Sequence, residues 1–302
     1  MKTPAVVRKL GLGTVQFGMP YGVSNSQGQP TAEEVARILT KAHLHGVRCL
    51  DTAAFYGSSE SVLGASMPQG HTFEIVTKTP HFAAEVIGDE HASLLGATFE
   101  QSLQRLGADA VYGLLLHNAD DLLRPGAQLL VDALLSLKRA GKVKHVGASI
   151  YNDRQIARLL ELPGLDLVQV PINLLDQRLI SSGALTRLKS AGFEIHARSV
   201  FLQGLLLMPT ETLPSRFQSV RNHLRALEGA AASAGVSMLQ ASLGFVLGLS
   251  EIDRVLVGVN SSAEFEQILD NSQKLPDLNE LAAIASWSDE NILNPALWGK
   301  HA

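Results

Sequence analysis

Short apolar runs rich in Val, Ile and Leu recur along this chain, separated by longer stretches with helical spacing and by Gly or Pro. That alternation narrows the choice of fold more than any other feature. It predicts strands at Leu10–Thr14, Cys49–Ala53, Phe73–Lys78, Ala110–His117, His145–Ser149, Leu167–Pro171, Glu194–Arg198 and Arg254–Gly258. Eight is the number of parallel strands that closes a barrel. The run Gly113–Leu116 is apolar without alternation, as a strand covered on both faces should be. An open, doubly wound sheet leaves the same local signals. Between the strands, Thr31 with Glu34 reads as a capping box. Val35, Ile38, Leu39 and Ala42 then form one apolar helix face that Gly46 terminates. A second helix is expected from Pro125 through Leu129, Leu130, Leu134 and Leu137 to Gly141, with Lys138 and Arg139 at the negative end of its dipole.

Dividing 302 residues by ~150 per domain points to two domains, yet barrels of about 250 residues count as one. No Pro/Ser linker, composition shift or repeat divides the chain, so a single domain over 1–302 is expected. Lys+Arg 25 against Asp+Glu 29 gives a net charge of -4, and no basic run exceeds the short cluster Lys142, Lys144 and His145, of which Lys142 and Lys144 read as a solvated turn after a helix; nucleic acid is not an expected partner. Cys49 stands alone, which excludes an internal disulfide and a cysteine zinc cage and fits a reducing compartment. Near the N-terminus the apolar stretch Pro4–Val7 is shorter than the ~7 to 15 residues of a signal core. Leu239–Leu249 falls short of the ~18 residues of a membrane span. The expectation is a cytoplasmic protein without a membrane partner. His43 and His45, two apart on a helix, point to different faces, and no metal site is assigned.

In a parallel barrel, groups at or just beyond the carboxyl ends of the strands converge on one face. Four polar residues stand there: Asp51 in Leu50-Asp51-Thr52-Ala53, Tyr56 on the loop that follows, Lys78 ending Val76-Thr77-Lys78, and His117 ending Leu114-Leu115-Leu116-His117. A phenol titrates near ~10, too high to exchange protons readily at neutral pH. A neighbouring ammonium favours phenolate and is expected to lower the Tyr56 value, while a carboxylate keeps the lysine charged and oriented. A histidine in reach of the same substrate oxygen polarises it or fixes the carbonyl, stabilising the alkoxide that hydride addition creates. Taken singly, Asp51 reads equally as the partner of a helix end, Lys78 as a strand-end cation, and His117 as an interior histidine.

Gly11-Leu12-Gly13-Thr14, Asp51-Thr52-Ala53 with Tyr56-Gly57, Lys78 and Leu116-His117 together resemble the aldo-keto reductase family over nearly the whole chain. The resemblance implies a (β/α)8 barrel that binds NADP(H), or NAD(H), and reduces an aldehyde or ketone. It assigns the catalytic tetrad to Asp51, Tyr56 as proton donor, Lys78 and His117. It likewise assigns Gly13 and Thr14 to the cofactor side, and Ser149 and Gln169 to the nicotinamide carboxamide, although Ile150 replaces the usual Asn. Arg198-Ser199-Val200-Phe201-Leu202-Gln203-Gly204 resembles the family's Tyr-Ser-Pro-Leu loop, which stacks on nicotinamide and reaches the pyrophosphate. Arg198 takes the Tyr place, and a planar guanidinium can stack while its charge disfavours the oxidised ring. Of that loop, Arg198, Ser199, Phe201, Gln203 and Gly204 are assigned to the cofactor.

Gly258, Asn260, Ser261, Ser262, Glu264 and Gln267 fall in the segment that in this family holds the adenosine 2′-phosphate at a helix N-terminus. The basic residues of many NADP-dependent members are absent, with Gly258 and Glu264 in their places, and the adenine-contacting Glu-Asn pair is Gln267 and Ile268. NADP(H) comes first on family frequency, with the Ser261 and Ser262 hydroxyls as phosphate donors; NAD(H) is the alternative. Gly11, Gly13 and Gly18 lack the third glycine of a dinucleotide loop, and packing or turn geometry accounts for them. Phe17, Phe55, Phe82, Trp287 and Trp298 are candidates for a substrate pocket, or equally plain core, and the pocket walls would come from Pro80–Asp89, Leu202–Arg216 and the tail from Asp289 to Ala302. Three functions follow. The first is a carbonyl reductase with a small carbonyl or alcohol substrate. The second is a cofactor-binding regulatory or redox-sensor barrel with little turnover. The third is a Schiff-base lyase through Lys78, against which Asp51 argues.

Overall fold

Eight parallel strands pair in chain order and close on themselves: β1 (Leu10–Gly13), β2 (Cys49–Asp51), β3 (Glu74–Lys78), β4 (Val111–Leu116), β5 (Val143–Ser149), β6 (Leu167–Pro171), β7 (Glu194–Arg198) and β8 (Arg254–Gly258). Closure is the pairing of the first strand with the last, from Leu10 opposite Val255 to Gly13 opposite Gly258. That pairing decides for the (β/α)8 barrel over the open sheet. The computed structural model describes residues 5–273 and 275–298, so the last four residues of the predicted pocket-forming tail lie outside the described residues.

The crossovers are helical: α1 (Ala32–His45), α2 (Ser59–Ser66), α3 (Asp89–Leu106), α4 (Gln128–Arg139), α5 (Asp153–Leu160), α6 (Ala184–Ser190), and two in the last crossing, α7 (Arg221–Ser233) and α8 (Met238–Gly248), with α9 (Ser262–Ser272) after β8. Among the described residues no single helix is long and apolar enough to cross a membrane. The apolar faces read from sequence are the buried ones: Val35, Ile38, Leu39 and Ala42 on α1, and Leu130, Val131 and Leu134 on α4. Two helix starts depart from the sequence expectation. At α1 the Thr31 hydroxyl accepts from the Glu34 amide, but the Glu34 carboxylate turns to Arg37 and to the Ser262 amide, leaving half a capping box. At α4 Gly126 takes φ 80, which delays the helix past Pro125 to Gln128.

Side chains two residues apart on a strand share a face. Cys49, Val76, Leu115, Leu167 and Leu256 pack together as one buried cluster of strand residues. Two residues further along β2, β3 and β6 stand Asp51, Lys78 and Gln169, and His117 follows directly on the end of β4, all at the carboxyl end of the barrel. The period of the strands alone therefore sets the polar residues over an apolar floor.

Candidate active site

The structure brings Asp51, Tyr56, Lys78 and His117 to one place. Lys78 Nζ donates to both carboxylate oxygens of Asp51 at 2.7 Å and to the Thr52 carbonyl at 3.0 Å, so its three N–H bonds are all used. Gln169 Nε2 adds a fourth donor to this group, 2.7 Å from Asp51 Oδ1. The ammonium lies 5.0 Å from the centre of the Tyr56 ring, and the His117 ring stands edge-on to Tyr56 with centres 5.6 Å apart. Among the described residues no group hydrogen-bonds the Tyr56 hydroxyl. His81, on the loop after β3, sits edge-on to His117 with ring centres 4.4 Å apart.

Electrostatics here differ from the sequence expectation at one point. Burial pushes the Tyr56 phenol up, the Asp51 carboxylate adds to the rise, and Arg198 opposes it. The anticipated acidifying ammonium is already neutralised by a carboxylate in direct contact, and desolvation of a phenolate outweighs what remains. Burial also draws Lys78 down, against the pull of Asp51. His117 falls to about 2 through burial, the Lys78 charge, His81 and Arg198, so its imidazole is neutral. Its Nδ1 is buried without a partner.

Local sequence places the phenol. The Tyr56 loop lies against the segment after β1, with the Ser58 amide donating to the Gly18 carbonyl at 3.2 Å. A Cβ on Gly18 would meet the Tyr56 carbonyl at 1.8 Å, and one on Gly57, whose φ is 56, would meet the Gly18 carbonyl at 2.2 Å. Beneath them Thr14 Oγ1 donates to the Asp51 carbonyl at 3.0 Å and Ser59 Oγ to the Thr14 carbonyl at 2.8 Å.

A groove of about 530 Å³ begins at Asp51, Tyr56 and His117 and is walled by Gly13, Thr14, Ser149, Gln169, Arg198, Ser199, Phe201, Gln203 and Gly204; Gly258, Asn260, Glu264 and Gln267 also line it. Lys78 is buried behind Asp51 and does not line it. Nor do Ser261 and Ser262, whose polar groups turn into the start of α9: the Ser261 hydroxyl accepts from the Glu264 amide at 3.1 Å, and the Ser262 amide donates to Glu34. None of the five candidate pocket aromatics lines the groove; Phe17 and Phe82 are core, and Trp298 packs on Phe217 with centres 4.9 Å apart. Sequence reasoning missed Gln16, Tyr21, Asn25 and Tyr151, which do line it. The signal for Gln16 and Tyr151 was their position just beyond β1 and β5.

The groove wall has the polarity a nicotinamide dinucleotide needs. Gln169 Oε1 is buried with no partner, an acceptor suited to an amide N–H2 such as the nicotinamide carboxamide. Ser149 Oγ accepts from Arg198 Nε at 3.3 Å and keeps its own proton to donate. Arg198 also reaches Ser199 Oγ and the Ile150 carbonyl, each at 3.3 Å, and stacks 4.2 Å from the Tyr151 ring centre. The loop behind it holds Ser199, Leu202 and Gln203 at φ 60, 48 and 55, a left-handed backbone rare outside glycine and common where a loop clamps a ligand.

Comparison with known proteins identifies the family. The family described as "Aldo/keto reductase family" matches residues 9–288. The chain is 25% identical, over 68% of its length and 67% of the other's, to an NADH-specific methylglyoxal reductase of Escherichia coli. It is 29% identical, over 63% of its length and 68% of the other's, to a 6-dehydroglucose reductase of Agrobacterium fabrum. Its fold matches that of an aldo-keto reductase from Bacillus halodurans in holo form with TM-score 0.73 at 18% identity, covering 97% of this chain and 94% of that one.

Proposed function

The chain belongs to the aldo/keto reductase family, and from that premise we propose that it reduces a small aldehyde or ketone, with Tyr56 handing the proton to the substrate oxygen. One observation carries the reading: the Tyr56 phenol lines the groove with no hydrogen-bond partner among the described residues, its ring 5.0 Å from Lys78 Nζ and edge-on to His117. When bound, a reduced nicotinamide supplies the hydride. Gln169 Oε1 and the Ser149 hydroxyl would hold its carboxamide, and Ser199 to Gly204 its phosphates.

Because burial keeps Tyr56 protonated, the acid is loaded at neutral pH. An alkoxide is a stronger base than phenolate, so the proton moves from Tyr56 to the substrate oxygen as negative charge develops there. The phenolate left behind is favoured by the Arg198 charge, and neutral His117 orients the carbonyl as a hydrogen-bond donor. Asp51 and Gln169 position Lys78 rather than touch substrate. The complete tetrad favours turnover over a sensor role. A lyase is disfavoured because Lys78 has no free N–H and lies outside the groove. Relatives named for methylglyoxal and 6-dehydroglucose favour a small oxygenated carbonyl substrate.

The test is Tyr56→Phe. Carbonyl reduction should fall by about 10²–10⁴-fold while dinucleotide binding, followed by fluorescence titration, is unchanged. Full reduction by the variant would overturn the mechanism. The raised phenol also gives a sign for pH: wild-type kcat for reduction stays flat between about pH 6 and 8, whereas alcohol oxidation, which requires phenolate, climbs as pH rises.

A further inference from the structure

We propose that the α9 end of the groove selects NAD(H) and rejects NADP(H), because the carboxylates of Glu34 and Glu264 take two of the backbone donors there and set negative charge where a 2′-phosphate would have to sit. The inference rests on the dinucleotide reading above and goes on to say which dinucleotide.

The N-terminus of a helix presents unpaired N–H groups and the positive end of a dipole, and so attracts a phosphate. Three of the amide donors around the start of α9 are already taken, two of them by carboxylates. Glu264 Oε2 accepts from the Asn260 amide at 2.7 Å, and Glu34, reaching over from α1, accepts from the Ser262 amide. The third acceptor is the Ser261 hydroxyl, on the Glu264 amide, so the serine that best suited a phosphate is committed to the helix cap. The Ser262 amide in turn holds the Glu34 carboxyl below the usual carboxylate range, which keeps its charge in place.

Among the described residues, the two cations nearest this corner are already paired. Arg37 pairs with Glu34; Lys41 pairs with Glu266 at 2.6 Å and donates to the Ser262 carbonyl at 3.3 Å. Neither lines the groove, and among the described residues the one Lys or Arg that does is Arg198, bonded to Ser149 and Ile150. A phosphate dianion placed here would meet Glu264 with no free countercharge. A ribose hydroxyl meets the opposite situation. Among the described residues Glu264 Oε1 has no partner, and this groove-lining carboxylate would be free to accept from the 2′-hydroxyl that NAD(H) carries and NADP(H) lacks. One side chain thus supplies both the attraction and the repulsion.

The experiment is a binding titration with NADH and with NADPH, in the absence of any carbonyl substrate, by calorimetry and by protein fluorescence. Wild type should bind NADH at least about tenfold more tightly than NADPH. Glu264→Gln and the double variant Glu34→Gln/Glu264→Gln keep an acceptor oxygen for each amide and remove the charge. The ratio should shrink by about tenfold in the double variant, mainly through tighter NADPH binding. Circular dichroism checks that α9 persists; if the double variant is unfolded, the single variant is read in its place, with a smaller change in the same direction. Wild-type binding of NADPH as tightly as NADH would overturn the inference, as would a ratio unmoved by the substitutions. Binding of neither dinucleotide would instead overturn the functional reading beneath it, so the two failures are distinguishable.

Discussion

Burial, the Lys78 ammonium, His81 and Arg198 hold the His117 imidazole down at about 2, so the folded protein excludes a proton that the unfolded chain takes up below ~6.5. Between those values the unfolded state binds more protons, and stability rises with pH; read downward, it is lost as pH drops below ~6.5. The slope from this one group is at most about 1.4 kcal/mol per pH unit. Urea unfolding at pH 7.5 and pH 5.5 should therefore show a larger acid loss for wild type than for His117→Asn, and equal losses would contradict a buried neutral imidazole. At this scale the candidate site was legible as residue types at strand ends: Asp51, Lys78 and His117 each follow an apolar run, and Tyr56 follows Asp51. Protonation was not legible. The sign expected for Tyr56 depended on an ammonium whose charge is met by two carboxylate oxygens at 2.7 Å, a distance no sequence pattern encodes. His81 was invisible for the same reason, since only the fold brings its ring to His117.

Among the elements, β6, β7 and β8 begin and end where the apolar runs do, while β2 stops at Asp51, short of Ala53, because the chain must leave the sheet to form the Tyr56 loop. Helix starts were harder to read. A capping box is a local pattern, yet Glu34 forsakes it for an amide 228 positions away, and local patterning cannot anticipate that competitor. The glycines after β1 belong to this scale too. Both atoms nearest a Cβ on Gly18 are backbone, the Tyr56 carbonyl and the Ser59 amide, so no rotamer change relieves the clash and the loop itself must move. Gly18→Ala should cost about 1–3 kcal/mol of stability. Because the loop carries the proton donor, the same change should lower kcat for reduction by at least about tenfold while leaving the dinucleotide Kd within about threefold. Thermal unfolding and single-turnover kinetics on one preparation check both, and an unaffected kcat would mean that the Tyr56 loop tolerates displacement.

Closure of the whole molecule rests on β1 pairing with β8, a contact across nearly the full chain that counting strands made expected but no local signal established. The closed barrel separates two polar ends by an apolar layer, and β7 carries both: Arg198 faces the groove, while Glu194 and His196 belong to the opposite end with Tyr112, Glu74 and Arg254. Conserving the substrate face while perturbing the other tests whether the ends are independent. Burial alone would push the Glu194 carboxyl up, but hydrogen bonds from His196, 2.8 Å away, and Tyr112 outweigh it and leave it at about 2. Its folded value lies under its unfolded one of ~4.5, so the stability it contributes is present above ~4.5 and is lost as pH falls toward about 2. Groups at the amino-terminal end of such a barrel serve stability, and chemistry sits at the other end. Glu194→Gln should then destabilise the protein by about 1–3 kcal/mol at pH 7, the range for a hydrogen-bonded charge, with kcat unchanged at temperatures where the variant is folded. The destabilisation should shrink as pH is lowered through 4, because wild type loses the same charge there. A constant difference across that range would place the effect in packing rather than in the carboxylate, and a fall in kcat would show that the apolar layer of Cys49, Val76, Leu115, Leu167 and Leu256 transmits a change from one end to the other.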